Sequence, residues 1–303
     1  MTRPIARPGR LSRQGHTPND SRPSRPNSTA KGSALPQTQY LTAARLEQLA
    51  GSLSDRDREV LRFVHANRFA TGHQLVRRFW QTSNQTSAGA RAARRALKRL
   101  VDLRGLSTLP RRIGGIRTGS QGLVYAVGRA GVRLMAVRGV SGARVELPGT
   151  LHLAHTLATT ELAVRLTEAE RAGDLEVIAV QPEPACWRSF PGLGGARRVL
   201  KPDLFVRVGA GALEDRWMIE VDLGSESGRT LARKATIYRE HYRSGREQHD
   251  HGVYPRVLWT APDRQRAAQI ENVLDAQSTE VRRLCSVRVF DEVIAFLASE
   301  AAA

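Results

Sequence analysis

Between positions 202 and 234 the chain carries Pro202-Asp203, then Glu220-Val221-Asp222, then Lys234. Glu220 and Asp222 sit two apart in the apolar run Trp217-Met218-Ile219-Glu220-Val221-Asp222, and in a strand residues i and i+2 project from the same face. Asp203 opens a second β-like run, Leu204-Phe205-Val206-Arg207-Val208, so pairing of the two strands would bring its carboxylate to the other two. Converging carboxylates are the hard oxygen ligands that Mg²⁺ or Mn²⁺ takes, usually with several waters retained. The chemistry to expect is metal-assisted phosphodiester hydrolysis. The cation, on Asp203, Glu220 and Asp222, would polarise a phosphate and lower the pKa of a bound water. Lys234 would steady charge developing on phosphate oxygens, and Tyr238, one helical turn beyond it, would share its face.

Plainer readings compete at each position. Pro-Asp is a common turn dipeptide, Glu-x-Asp also describes the solvent face of a strand, and a lysine on a helix is usually solvated.

The elements that must position these groups follow one another in the second half. Helix 151–172, strands 175–181, 199–208 and 216–222, helix 228–244, strand 255–260, helix 263–277, strand 286–290 and a terminal helix 291–299 are expected, a mixed α/β domain. Gly173 would stop the first helix and Asp263 would cap the third.

The first half reads differently. Residues 1–40 are rich in Arg, Pro, Ser, Gly and Asn and are expected to be disordered. Over 41–138 the pattern is a helix-turn-helix with a wing. Ser54-Asp55-Arg56-Asp57 opens a helix to about Ala66 that buries Val60, Leu61 and Val64. Thr71-Gly72-His73-Gln74 opens a short one, Leu75 to Trp80. A third helix, about Gln85 to Leu103, buries Ala93, Leu97, Leu100 and Val101 and turns Arg91, Arg94, Arg95 and Lys98 outward, with Arg99 beside them. Gly105 would close it in a left-handed conformation. Leu106–Leu109 and Leu123–Val127 form a hairpin whose tip carries Arg111, Arg112 and Arg117. The third helix is the recognition-helix candidate and the hairpin the wing. Residues 139–149 are a Gly-rich linker, and 150–303 the second domain.

Charge separates the halves as well. The net charge is +18, but residues 1–138 hold 26 Lys+Arg against 6 Asp+Glu, and residues 139–303 hold 21 against 23. Codon bias accounts for 43 Arg beside 4 Lys, yet not for a positive excess that stops near residue 138. A basic front half suits a polyanion, and DNA is the partner to expect. No run of about 20 apolar residues exists, so no membrane partner is expected. Cys186 and Cys285 make neither a disulfide framework nor a metal cluster, and a reducing cytoplasm is the default.

Pro-Asp on one strand and Glu-x-Asp on the next, in this order of elements, resembles the restriction-endonuclease-like, or PD-(D/E)xK, fold. More narrowly, the stretch from about Leu53 to Tyr242 resembles the replication-relaxation family of actinobacterial plasmids and mobile elements. The matching pieces are Leu53-Ser54-Asp55-Arg56-Asp57, Tyr125 leading to Arg129-Ala130-Gly131, Leu153-Ala154-His155, Pro202-Asp203, Ile219 through Glu226, and Lys234 with Tyr238. The resemblance implies a role in plasmid replication or DNA relaxation. It implies that Asp203 and Glu220 occupy the motif's acidic positions, that Asp222 stands where the motif has lysine, and that Lys234 replaces that lysine from the following helix. Glu161 resembles the helical acid of some members and would complete the metal shell. The rival function is a noncatalytic DNA-binding accessory or regulator. Cutting both strands would call for a second copy, which leaves a homodimer open.

Other signals point elsewhere. His152 and His155 lack a third zinc ligand and suit packing or hydrogen bonding. His249-Asp250-His251 is expected in a polar, solvent-exposed loop, and Gly192-Leu193-Gly194-Gly195 reads as a mobile hairpin rather than a phosphate loop. Tyr238 and Tyr242 raise a relaxase reading, but the histidine triad it needs is missing.

Overall fold

Capping residues set the first helices. In the computed structural model, which describes residues 41–81, 87–109, 122–137, 150–210 and 213–301, α1 (Ala43–Ser52) begins where Thr42 Oγ1 accepts from the Arg45 N–H. α2 (Asp55–Asn67) begins with the expected reciprocal cap: Ser54 Oγ accepts from the Asp57 N–H, and Asp57 Oδ2 accepts from the Ser54 N–H at 2.9 Å. Thr71 and Gln74 repeat the device before α3 (Gly72–Phe79), which follows the two-residue strand β1 (Ala70–Thr71). α4 (Ser87–Asp102) buries Ala93, Leu97 and Leu100, the two leucines in one core with Val60, Leu61 and Val64 of α2, and leaves Val101 half-buried.

The end of α4 differs from expectation. Arg104, not Gly105, takes the left-handed conformation, with φ 56°. The Arg104 N–H donates to the Val101 carbonyl and the Gly105 N–H to the Leu100 carbonyl, both at 2.9 Å, so the chain reverses one residue early in a Schellman pattern. Gly105 then passes close to α5 (Arg129–Val137), where a Cβ on Gly131 would stand 2.3 Å from the Gly105 carbonyl. The expected strands appear as β2 (Leu106–Thr108) and β3 (Val124–Val127), and the small antiparallel sheet runs β1-β3-β2. The tail 1–40, the hairpin tip with Arg111, Arg112 and Arg117, and the linker 139–149 lie outside the described residues.

The second sheet has the order β10-β9-β8-β7-β4, built from β4 (Glu176–Pro182), β7 (Leu204–Ala210), β8 (Leu213–Val221), β9 (Arg256–Ala261) and β10 (Cys285–Val289). β4, β7 and β8 are antiparallel, whereas β8, β9 and β10 are parallel. Alternation along β8 explains the layers. Trp217, Ile219 and Val221 pack toward α6 (Thr150–Ala172) and α11 (Val293–Ala301), and Met218 packs toward α7 (Gly228–Arg243) and α9 (Arg264–Asp275). Gly173, at φ 81°, ends α6, and Asp263 Oδ1 accepts from the Arg266 N–H to start α9, both as expected. The expected strand 199–208 is instead two. Pro202 lacks an N–H, and the chain leaves β6 (Arg197–Leu200), which pairs only with β5 (Arg188–Pro191), before entering β7. Two short helices, α8 (Arg246–His251) and α10 (Thr279–Leu284), complete the chain; His249-Asp250-His251, expected in a loop, is the last turn of α8, set off by Gly245 and Gly252 in left-handed conformations.

From residue 41 onward the described residues pack as one unit, joined where α3 lies on α6. Gln74 Nε2 donates to the Leu157 carbonyl at 2.9 Å, and Thr160 Oγ1 donates to that of Phe69 at 2.9 Å. Among the described residues no helix is long and apolar enough to cross a membrane. Cys186 and Cys285 are free thiols, the first buried and the second half-buried, and burial pushes both up to about 12.

On the inner face of α7, near its C-terminus, His241 is fully buried, with Nδ1 3.1 Å from the Tyr254 hydroxyl and its ring edge-on to Phe190. Burial, helped by the charges of Arg188 and Arg246, pulls it down to about 4 from an ordinary 6.5. The fold therefore holds the neutral ring. Its contribution is complete above about pH 6.5 and is lost as pH falls toward 4, up to about 3 kcal/mol. Urea unfolding across pH 4–7 should show this slope in the wild type and a shallower one in His241→Asn; parallel curves would refute the assignment.

Candidate functional site

The acidic cluster lies where β7 begins and β8 ends. Register brings Leu204 opposite Ile219, so Asp203, one residue before, stands across from Glu220. The Asp203 N–H donates to the Ile219 carbonyl at 3.1 Å, and its Oδ2 accepts from the Val221 N–H at 2.7 Å. Glu220 points from β8 toward α7. Ser227 caps that helix, and the i, i+4 spacing of Lys234 and Tyr238 turns both onto the strand. Lys234 Nζ donates to Glu220 Oε2 at 2.9 Å, and Tyr238 OH to Oε1 at 2.6 Å. The three carboxylates are buried, at 7% exposure for Asp203, 2% for Glu220 and 3% for Asp222.

Asp203, Glu220, Lys234 and Tyr238 thus come together as the sequence suggested. Asp222 and Glu161 do not join them. Both Asp222 oxygens are taken by Arg266 of α9, Oδ1 from Nε at 3.1 Å and Oδ2 from Nη2 at 2.6 Å, and Oδ1 also accepts from the Gly224 N–H. Glu161 faces away from the cluster toward α3. It accepts from Arg77 Nη1 at 2.6 Å, from Gln74 Nε2 at 3.2 Å and from Arg165 Nε at 3.2 Å, so it belongs to the packing of α3 on α6.

Sequence reasoning missed three members. His155, on α6, places Nε2 3.1 Å from Asp203 Oδ2. Glu226 accepts from Lys234 Nζ at 2.7 Å, and Arg266 holds Asp222. His155 and Glu226 both stood in segments that carried the family resemblance, which was the available signal; Arg266 had none.

Charge is concentrated here. Burial, then the charge of Asp203, pushes the Glu220 carboxyl up to about 7 against the pull of Lys234 and Tyr238. Burial alone would lower Lys234, but Glu220, Asp203 and Glu226 outweigh it and keep the ammonium charged. Burial likewise opposes the charged form of His155, and the hydrogen bond and charge of Asp203 reverse that, leaving its pKa raised.

The donor set decides which groups suit a divalent cation. Among the described residues no three His, Cys, Asp or Glu side chains gather closely enough to hold a metal, and Asp222 is committed to Arg266. Asp203 and Glu220 do fit. They face each other across the start of β7 and the end of β8; Lys234 and Tyr238 hold Glu220, and His155 with the Val221 N–H holds Asp203, yet burial first and the Asp203 charge second still raise Glu220, and Mg²⁺ is commonly held by one or two carboxylates with water and substrate phosphate filling the rest.

The other candidate surface is the outer side of α4. Arg91, Arg94, Arg95 and Lys98 are exposed there along one face. Lys98 Nζ bonds Asp102 at 2.8 Å within that surface. Arg99 has a different task. Its guanidinium donates to Asp57 Oδ2 at 2.5 Å, locking α4 to the N-terminal cap of α2. Arg111, Arg112 and Arg117 are outside the described residues.

Comparison with curated proteins and with solved structures gave no match. One family model, described as replication-relaxation, matches residues 61–257, a span running from α2 through the acidic cluster to β9. That match covers more than half of the chain and includes both candidate surfaces, and the protein belongs to the replication-relaxation family.

Proposed function

We propose that this protein binds duplex DNA in the replication of a plasmid or mobile element, through a winged helix-turn-helix formed by residues 41–138. The observation that carries this reading is the exposed basic face of α4, where Arg94, Arg95 and Lys98 lie opposite the buried Ala93, Leu97 and Leu100. The order α2-β1-α3-α4-β2-β3 supports it, since α4 then occupies the position of a recognition helix. Each phosphate neutralised adds about 0.9 to the slope of log affinity against log salt. Replacing both Arg94 and Arg95 by serine should therefore lower the slope by about 2 and weaken duplex binding in proportion. An unchanged slope in a salt titration would remove α4 from the interface.

A second reading, nicking by metal-dependent hydrolysis, is favoured by the meeting of Asp203, Glu220 and Lys234. The run α6-β4-β7-β8-α7-β9 supports a nuclease-like domain around them. Asp203 and Glu220 would hold Mg²⁺ or Mn²⁺. When bound, the cation polarises the phosphate and acidifies a water. Lys234, held by Glu220 and Glu226, supplies a fixed positive charge beside the phosphate, and Tyr238 fixes the orientation of the Glu220 carboxylate. Supercoiled plasmid incubated with Mg²⁺, Mn²⁺ or EDTA tests the reaction. Tight, salt-sensitive binding with no nicking would leave a noncatalytic accessory.

A further inference from the structure

The β5–β6 hairpin is a basic element in a half of the chain that is otherwise close to neutral. From Trp187 to Lys201 the sequence holds Arg188, Arg197, Arg198 and Lys201 and no acid. Pairing of Arg188 with Leu200 and of Phe190 with Arg198 puts these four side chains on one face. That face is anchored. Phe190 and Leu200 are buried, Arg188 Nε bonds Glu247 at 3.0 Å, and Arg198 bonds Glu240 at 2.9 Å. The opposite face carries Trp187, Ser189, Val199, Arg197 and Lys201. One residue beyond the Arg188–Leu200 pair, Trp187 and Lys201 stand across from each other, with the ammonium 4.4 Å from the ring centre. Trp187 is 37% exposed, unusual for so large an apolar ring. Among the described residues neither Arg197 nor Lys201 has a carboxylate partner; Arg197 bonds only Ser189 Oγ, at 2.9 and 3.3 Å.

An exposed aromatic ring flanked by unneutralised cations matches an unpaired nucleic-acid strand, whose bases stack and whose phosphates pair with the cations. Duplex DNA hides its base faces and would leave the Trp187 ring unused. The location is telling too. Lys201 immediately precedes Pro202-Asp203, the Cys186 thiol donates to the Pro202 carbonyl, and the Glu183 N–H donates to that of Asp203. The hairpin base and the acidic cluster are therefore one continuous structure.

We propose that the outer face of this hairpin, Trp187 with Arg197 and Lys201, binds a segment of single-stranded DNA and leads it to the Asp203–Glu220 pair. This rests on the reading of the protein as DNA-binding but uses a surface separate from α4. A labelled oligo-dT of about 16 nucleotides and a blunt duplex, each titrated with the full chain by fluorescence anisotropy, separate the two surfaces. Trp187→Ala should weaken oligo-dT binding about tenfold or more, while Trp187→Phe, which keeps a stacking ring, should stay within about threefold. Changing Arg197 and Lys201 together to serine should lower the single-strand salt slope by about 1.4. Duplex binding should be unchanged in all three, and the Arg94/Arg95 double variant should show the reverse pattern. Because Trp187 and Lys201 are exposed, unchanged thermal unfolding would show that the variants remain folded. Wild-type oligo-dT affinity in Trp187→Ala, or no oligo-dT binding by the wild type, overturns the proposal and leaves the α4 reading intact. Single-strand binding that depends on Trp187, without any duplex binding, supports the hairpin and removes α4.

Discussion

Replacing Arg266 with alanine should destabilise the protein by about 3–5 kcal/mol, the cost of leaving a buried carboxylate without its partner. Asp222 is 3% exposed, and both of its oxygens rest on the Arg266 guanidinium. Arg266 Nη2 also donates to the Glu226 carbonyl at 2.6 Å, so the truncation releases a backbone acceptor as well. Solvent enters little here, since the Arg266 side chain is itself only 14% exposed. Urea unfolding should show the midpoint falling sharply in Arg266→Ala and recovering in part when Asp222→Asn is added, because the second change removes the stranded charge. A loss below about 1 kcal/mol, typical of exposed pairs, would mean that water reaches this contact.

The framework was legible because its signals are local. Reciprocal caps at Ser54 and Thr71 and the single cap at Asp263 mark helix starts within a few residues. The alternation of β8 gives its two faces directly, and the helix, three antiparallel strands, helix and parallel strand were each placed to within a few residues except at Pro202. There, a continuous apolar pattern concealed a proline that separates a hairpin strand from a sheet strand. The short helices α8 and α10, six residues each, carry too few turns to build a clear apolar stripe. α8, Arg246–His251, is polar almost throughout and buries chiefly Glu247.

Spacing told which carboxylates share a face and was silent on which cation each would meet. Asp222 and Glu220 both lean toward the α7 and α9 side, yet Asp222 is claimed by an arginine 44 residues later, and Glu161 by one 84 residues earlier. Such partners depend on how helices settle on a sheet, which no local pattern encodes. Arg99 makes the same point on the basic surface. Its position beside Lys98 suggested phosphate contact, whereas Asp57, 42 residues before it, takes its guanidinium.

With Arg266 assigned to Asp222, the Lys234 ammonium and the His155 ring on Asp203 face three carboxylates, Asp203, Glu220 and Glu226, and cannot neutralise all three. That surplus distinguishes the Asp203–Glu220 pair from an ordinary buried ion pair, and it makes a substitution at Glu220 informative. Glu220→Gln keeps the shape and an acceptor for the Tyr238 hydroxyl but removes a charge that the fold holds at a cost. Its melting temperature should be no lower than that of the wild type, with Lys234 retained by Glu226. Plasmid nicking in Mg²⁺, by contrast, should fall by about 10²–10³, the scale on which a single electrostatic group in a reaction centre acts. Duplex affinity should remain within about twofold, since the surface proposed for the duplex is α4, on the other side of the fold's junction from Glu220. Loss of activity at equal or greater stability is the behaviour of a residue kept for chemistry. Nicking at the wild-type rate in this variant, or nicking that persists in EDTA, would place any cleavage outside the Asp203–Glu220 pair. A variant that unfolds would instead make Glu220 a structural anchor for α7.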